Sequence, residues 1–171
     1  LFPAHSESAL VITARKSDPM DKDALRTGVD VITIPDIRWQ RCDIKSVALL
    51  PNVLGKQQAR DADAFEAWQV DDEGYVTEGT STNAWIVTAD GDLVTRNAST
   101  SILNGVTRLS VLEAAAEAGI DIMERPFTPE EALAAREAFI TSSTSHVKAV
   151  TRIDGQSIGN GHVGELTNRV L

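Results

Sequence analysis

A single cysteine, Cys42, is the only thiol in this sequence, so no internal disulfide forms and a disulfide-stapled secreted scaffold is excluded. Histidine is scarce as well: His5, His146 and His162 stand far apart without ligand spacing, and no Cys/His pattern signals a metal. Aromatics make up 5% of residues, and Trp39, Trp68 and Trp85 read as core rather than as a platform for stacking bases. Positive charge is short too, 16 Lys and Arg against 25 Asp and Glu, for a formal net charge of −9. With the acids scattered among the bases, Coulomb repulsion argues against a nucleic-acid or anionic-membrane surface. No apolar run approaches the roughly 20 residues of a membrane helix, and no basic segment followed by an apolar one opens the chain. Phosphate-loop, dinucleotide-loop and serine-elbow motifs are missing. These absences leave a cytoplasmic protein whose partner is a small molecule or another protein.

What is present is ordinary globular material: 171 residues, 42% apolar and 24% charged, enough for one domain with a sizeable core. Short apolar runs rich in Val, Ile, Thr and aromatics predict strands at ALVITA (9–14), VDVITIP (29–35), AFEAWQV (64–70), TNAWIVT (82–88), DLVTR (92–96), IDIMERP (120–126), EAFITSS (137–143) and VKAVTRIDG (147–155). Helical patterns lie between them: DKDALRTG (21–28) with Asp21 as cap, PNVLGKQQARDAD (51–63) with Pro51 in the first turn, and VTRLSVLEAAAEAG (106–119) stopped by Gly119. A fourth, TPEEALAAREA (128–138), has Thr128 and Glu131 in capping-box spacing. Gly74 and Gly91 sit where hairpins need a positive φ, so the middle of the chain predicts antiparallel strands rather than a regular βαβ series. The fold class is α+β, a mixed α/β domain with a largely antiparallel sheet and flanking helices. The chain opens at Leu1, without Met, and runs straight into ALVITA, so it reads as joined midway, with a preceding segment expected.

Four stretches could carry chemistry, and each has a plain structural reading beside the chemical one. Lys45, ahead of the predicted helix at 51, is either a solvated charge or an amine that apolar neighbours keep neutral and therefore nucleophilic towards a carbonyl. Glu78 in YVTEGTSTNAW is either a hairpin glutamate facing water or a carboxylate at a strand end reaching into a cavity, where it could partner a pyridine nitrogen. In SILNGVTR the amides of Val106 and Thr107 and the Thr107 hydroxyl converge at a helix start, either as an ordinary cap or as a phosphate site. Five consecutive hydroxyl residues, Thr141 to Ser145, follow a strand and either satisfy their own backbone or complete a phosphate cup.

In this order, RCDIKS…LPNVLGKQ, YVTEGTSTNAWIV, ILNGVTR and TSSTSHV, followed by IDGQSIGNGHVGELTNRVL, resemble the class IV (fold-type IV) pyridoxal-phosphate aminotransferases over nearly the whole chain. Within them the DIKS around the lysine is most similar to the D-amino-acid (D-alanine) branch. The resemblance implies pyridoxal 5′-phosphate as cofactor, with Lys45 forming the internal aldimine and shuttling the proton, and Glu78 pairing with the pyridine nitrogen. It places Val106 and Thr107 on the phosphate by their amides and hydroxyl, Leu103 on the ring face, Ser143 as a further phosphate hydroxyl, and Arg38 as an arginine of the cofactor pocket. Asn104 replaces the family's usual proline, a change expected to loosen the loop, and His146 replaces its usual glutamate.

By that resemblance the function is transfer of an amino group from a D-amino acid to a 2-oxo acid in a homodimer. Aminodeoxychorismate-lyase-like or branched-chain aminotransferase activity, and a non-catalytic fragment, are the rivals. Residues 1–20 are expected to be a connector and the end of a preceding domain, and 21–171 the large cofactor-binding domain. The family's smaller N-terminal domain, with its phosphate arginine and substrate-carboxylate groups, has no counterpart in this sequence.

Overall fold

Val, Ile and Thr crowd residues 29–35, and their branched Cβ atoms favour an extended chain packed on both faces. The stretch forms strand β1 (Val29–Pro35) in a computed structural model that describes residues 27–170 and, before them, 5, 7, 9–14 and 16. The other strands are β2 (Glu66–Val70), β3 (Val76–Gly79), β4 (Asn83–Val87), β5 (Leu93–Thr95), β6 (Ile122–Glu124), β7 (Glu137–Ser142), β8 (His146–Ile153) and β9 (Gln156–Ser157). The helices are α1 (Leu50–Asp61), α2 (Val106–Glu117), α3 (Pro129–Ala134) and α4 (Glu165–Val170).

Among the described residues the strands form one sheet in the order β3-β2-β1-β8-β7-β4-β5-β6, with β9 against β8. Five of its eight pairings are antiparallel, as expected. β1 is parallel to both β2 and β8, and β5 to β6. Helices α1 and α2 make the crossovers of β1–β2 and β5–β6, and the whole chain between β1 and β8 joins that pair. Gly74 (φ +87°) and Gly91 (φ +105°) turn the two expected hairpins, β2–β3 and β4–β5. Strands β3 and β4 lie far apart in the sheet order, yet only residues 80–82 join them. So short a link spans about 14 Å at most, and the sheet therefore curls until the ends of β3 and β4 meet.

Alternation along β4 divides the core. Ala84 and Ile86 face a cluster with Val31, Trp68, Phe127, Ile140 and Ile153, whereas Trp85 and Val87 face a second with Leu93, Val111, Phe139 and Leu166. Trp85 stacks on Phe139 with centroids 5.4 Å apart, and Trp68 meets Phe127 edge-on at 6.0 Å.

Several expectations need correction. ALVITA forms no strand: Leu10, Val11 and Ile12 are at least 80% exposed, and β-branched composition makes a strand only where a neighbouring strand supplies packing. Trp39 is not core but 49% exposed, because it lies on a loop rather than within the sheet. The helix start at Asp21 lies outside the described residues. Helix α4 is absent from the sequence-based expectations, and its six residues are capped from a distance: the Glu137 carboxylate of β7 accepts from Leu166 N (3.1 Å), Thr167 N (2.8 Å) and Thr167 Oγ1 (2.8 Å).

Glu137→Ala leaves those buried donors unpaired and should lower the unfolding free energy by about 1–3 kcal/mol. A lower urea midpoint at unchanged m-value checks this. Glu137→Gln, which retains an acceptor oxygen, should lose less.

Candidate active site

The site forms where the curled sheet brings the C-terminal end of β1 beside β3. All four residues of β3 are buried, including the carboxylate-bearing Glu78, the residue before its last. Arg38, on the loop after β1, reaches across with a side chain only 5% exposed and donates through Nη1 to Glu78 Oε1. Its other donors go to Asp36 (Nε to Oδ1, 2.9 Å; Nη2 to Oδ2, 2.6 Å) and Ser101 O (3.0 Å). Glu78 also accepts from Asn83 Nδ2 (3.0 Å) and from the Leu103 amide (3.1 Å to Oε2).

The two acids around this guanidinium are driven in opposite directions. Burial pushes the Glu78 carboxyl up to about 7, while the Arg38 charge and hydrogen bond and the Leu103 amide pull the other way. Burial also opposes ionisation of Asp36, but there it is outweighed by Arg38 and the Thr77 hydroxyl, which hold the group below its ordinary value. Arg38 is held firmly charged: burial disfavours the cation, and the bonds and charges of Asp36 and Glu78 more than compensate.

A second structure lies across the cavity. Helix α2 begins after Gly105 with neither a side-chain cap nor an acid in its first turn, so its leading amides are available to an anion. A Cβ on Gly105 would lie 2.6 Å from Asn83 Oδ1, so that close approach requires glycine. The exchange of proline for Asn104 does not leave this loop untethered, contrary to expectation, because Asn104 Oδ1 accepts from Arg108 Nη1 at 2.8 Å. The hydroxyl hairpin between β7 and β8 divides its labour. Thr141 Oγ1 accepts from Trp85 Nε1 (3.0 Å), Ser142 Oγ accepts from Ser145 N (3.0 Å), and Ser143 at the tip is exposed to the cavity.

Lys45 stands five residues before α1, on an irregular loop rather than at the helix start, and is exposed. All seven residues singled out from the sequence (Arg38, Lys45, Glu78, Leu103, Val106, Thr107 and Ser143) line one cavity of about 520 Å³. Arg38 turns its charged end into the wall, towards Asp36 and Glu78.

Other wall residues escape a reading of the sequence. Asn83 and Lys56 line the cavity and Asp36 and Glu66 stand behind it; their partners Leu103, Thr77, Thr80 and Ser81 lie far enough along the chain that no local motif marks them. Buried Glu66 collects the hydroxyl turn, accepting from Thr80 Oγ1 (2.5 Å) and Ser81 Oγ (2.9 Å), with Lys56 Nζ 3.4 Å away. The half-buried Cys42 thiol donates to Trp39 O at 3.1 Å. Among the described residues no group of His, Cys, Asp or Glu could hold a metal, and no helix is long and apolar enough to cross a membrane.

A model of the class IV amino-transferase family matches residues 2–153. The chain belongs to the class IV aminotransferase family. It is 50% identical over 145 residues to the D-alanine aminotransferase of Bacillus licheniformis, covering 85% of this chain and 50% of that protein. Over 169 residues it is 38% identical to the D-alanine aminotransferase of Staphylococcus aureus strain N315, covering 99% of this chain and 59% of that protein. The chain thus spans between half and three-fifths of these relatives' length. Among solved structures, it is similar to a T.th. branched-chain amino acid aminotransferase with pyridoxamine 5′-phosphate, at 29% identity and TM-score 0.80, covering 91% of this chain and 52% of that one. A branched-chain aminotransferase of Thermoproteus uzoniensis with norvaline gives TM-score 0.77 at 28% identity, covering 90% and 52%.

Class IV aminotransferases use pyridoxal 5′-phosphate, and the cavity's donor set suits that group. It offers a buried carboxylate for a ring nitrogen, uncapped helix amides and hydroxyls for a phosphate, and an amine for an aldehyde. Its volume of about 520 Å³ falls within the usual range for small-molecule sites.

Because the Glu78 carboxyl titrates higher folded than unfolded, the stability it lends is present below its ordinary value near 4.5 and lost as pH rises through about 7. Glu78→Gln should therefore flatten the decline of thermal stability between pH 4.5 and 7 measured without cofactor. An unchanged slope would contradict the assignment.

Proposed function

We propose that this chain is the cofactor-binding part of a pyridoxal-phosphate-dependent aminotransferase that moves an amino group from a D-amino acid to a 2-oxo acid. The observation that carries the reading is the convergence of Lys45, Glu78, Ser143 and the start of α2 on one cavity. The D-alanine aminotransferase relatives, at 50% and 38% identity, favour the D-amino-acid donor over the branched-chain donors named in the more distant structural neighbours. Residues 1–20 serve as a connector in this reading and 21–171 as the cofactor domain. The single free thiol and the membrane-free composition favour the cytoplasm.

Pyridoxal phosphate, when bound, supplies an aldehyde that holds the amino group and a ring that accepts electrons from the carbon losing its proton. The protein's part is positional and electrostatic. Lys45 would offer the amine that anchors the aldehyde and would serve as the base that moves a proton between Cα and the cofactor carbon two atoms away. Glu78, fixed by Arg38, Asn83 and the Leu103 amide, holds a proton at the ring nitrogen. The Val106 and Thr107 amides, the Thr107 hydroxyl and the Ser143 hydroxyl hold the phosphate, with the α2 dipole adding to the attraction. Leu103 packs against a ring face and keeps water from it.

The rim of this cavity is apolar and open. Ile44, Leu49 and Val53 on its lining are 44%, 51% and 59% exposed, and the adjoining Val47 and Leu50 are 97% and 69% exposed, more exposed aliphatics in one segment than isolated surface residues explain. We propose that a second copy of the chain covers it, giving a homodimer with the site beside the interface. Val47→Asp together with Leu50→Asp should shift sedimentation from dimer to monomer, and a wild-type monomer at all concentrations would refute the arrangement.

The activity is tested by incubating the protein with pyridoxal phosphate, D-alanine and 2-oxoglutarate and following pyruvate. Borohydride treatment should leave a phosphopyridoxyl group on the Lys45 peptide by mass spectrometry, and Lys45→Ala should lose about 10²–10⁴-fold in rate. A label on another lysine would overturn the role given to Lys45. Turnover confined to L-leucine would move the protein to the branched-chain group.

A further inference from the structure

We propose that Arg108 is a positioning residue that, through Asn104, sets the leading amides of α2 for phosphate; this rests on the reading of the cavity as a pyridoxal phosphate site. Residues Leu103, Asn104 and Gly105 join the Glu78 carboxylate to the start of the helix. On the cavity side the Leu103 amide donates to Glu78, and Leu103 O accepts from Asn83 Nδ2 at 2.8 Å. That clamp ends at Leu103, and Gly105 has no side chain to hold it. Asn104 is the remaining tether, and its Oδ1 accepts from Arg108 Nη1 at 2.8 Å.

Arg108 is well suited to be the fixed end. It is 1% exposed, and its Nη2 donates to Arg96 O at 2.8 Å and pairs with Glu124 Oε2 of β6 at 2.5 Å. Its guanidinium lies over the Trp85 ring at 6.0 Å. The side chain therefore returns from the first turn of α2 to its own preceding loop, and ties that turn to β6 and to the strand carrying Trp85. A hydrogen bond from a charged, buried donor is stronger and better aligned than one between neutral surface groups. With the bond in place the backbone from 103 to 106 has little freedom, and the Val106 and Thr107 amides point in a fixed direction. Without it, Gly105 is a hinge.

The test compares binding of pyridoxal phosphate with that of phosphate-free pyridoxal by the whole chain, read as dissociation constants from absorbance titration. Asn104→Ala removes the exposed end of the tether without disturbing the core. It should weaken pyridoxal phosphate on the order of tenfold and leave pyridoxal nearly unchanged. Asn104→Pro supplies the restraint covalently, and the Asn104 N–H donates to no acceptor among the described residues, so this variant should bind like wild type. Arg108→Met should show the same phosphate-selective loss, and adding Asn104→Pro should restore it. Equal loss of both ligands in Asn104→Ala would mean a merely structural role and overturn the proposal, as would no loss of either. Failure of the wild-type chain itself to bind pyridoxal phosphate would instead overturn the cofactor reading.

Discussion

The Arg38 guanidinium, shared between the carboxylates of Asp36 and Glu78, is the contact on which the site depends. Two acids and one base in a wall this dry are costly unless all three are matched, because desolvation of each ion is repaid only by close, well-directed partners. Here the matching is uneven. Asp36 receives a two-pronged grip and stays ionised, while Glu78 receives one prong, an amide from Asn83 and a backbone N–H. Removing Arg38 would strand both acids, so the loop after β1 and strand β3 are pinned together by charge as well as by the ladder running through β2.

That pinning propagates. The Leu103 amide ends on Glu78, so the carboxylate fixes one end of the loop into α2, and Asn83 fixes the same loop through Leu103 O while bonding Glu78. Asn83 begins β4, whose next residues form the middle of both cores. The carboxylate's position is thus set by the curl of the sheet, which brings β3 and β4 together, and not by any flexible segment. Lys45 is the exception, on an irregular stretch with an apolar, open rim. In the proposed reading the wall that would hold charge and phosphate is built on the sheet and the start of α2, and the amine stands on the irregular loop before α1.

How far the sequence can be read follows from the range of each interaction. β1 and α2 are legible nearly residue by residue, since a run of β-branched residues and an alanine-rich segment stopped by Gly119 are local signals. Thr128 caps α3 as its spacing to Glu131 predicts. The α4 cap comes from Glu137, some 30 residues earlier, and nothing near either end announces it. The family resemblance assigns Arg38 to the pocket, but its partners include Glu78, 40 residues on. Asn83 offers only an incomplete glycosylation acceptor as a local pattern, whereas its work lies in contacts 5 and 20 residues away. ALVITA shows the opposite failure, a clear local signal for a strand that no neighbour among the described residues completes.

Glu78 also joins stability to function. A carboxyl that burial has drawn up to about 7 is half reluctant to ionise at neutral pH, and its own protein donors are not enough to settle it. The group that relieves it most is one that brings a proton to the carboxylate and little water, as a protonated aromatic nitrogen does. In the proposed reading, binding such a group would stabilise the folded chain by mass action and would fix the charge state that the ring needs in order to withdraw electrons. The same burial that costs the apo protein stability therefore strengthens the ion pair once it forms, because a charge interaction in a dry site is worth several times its value in water.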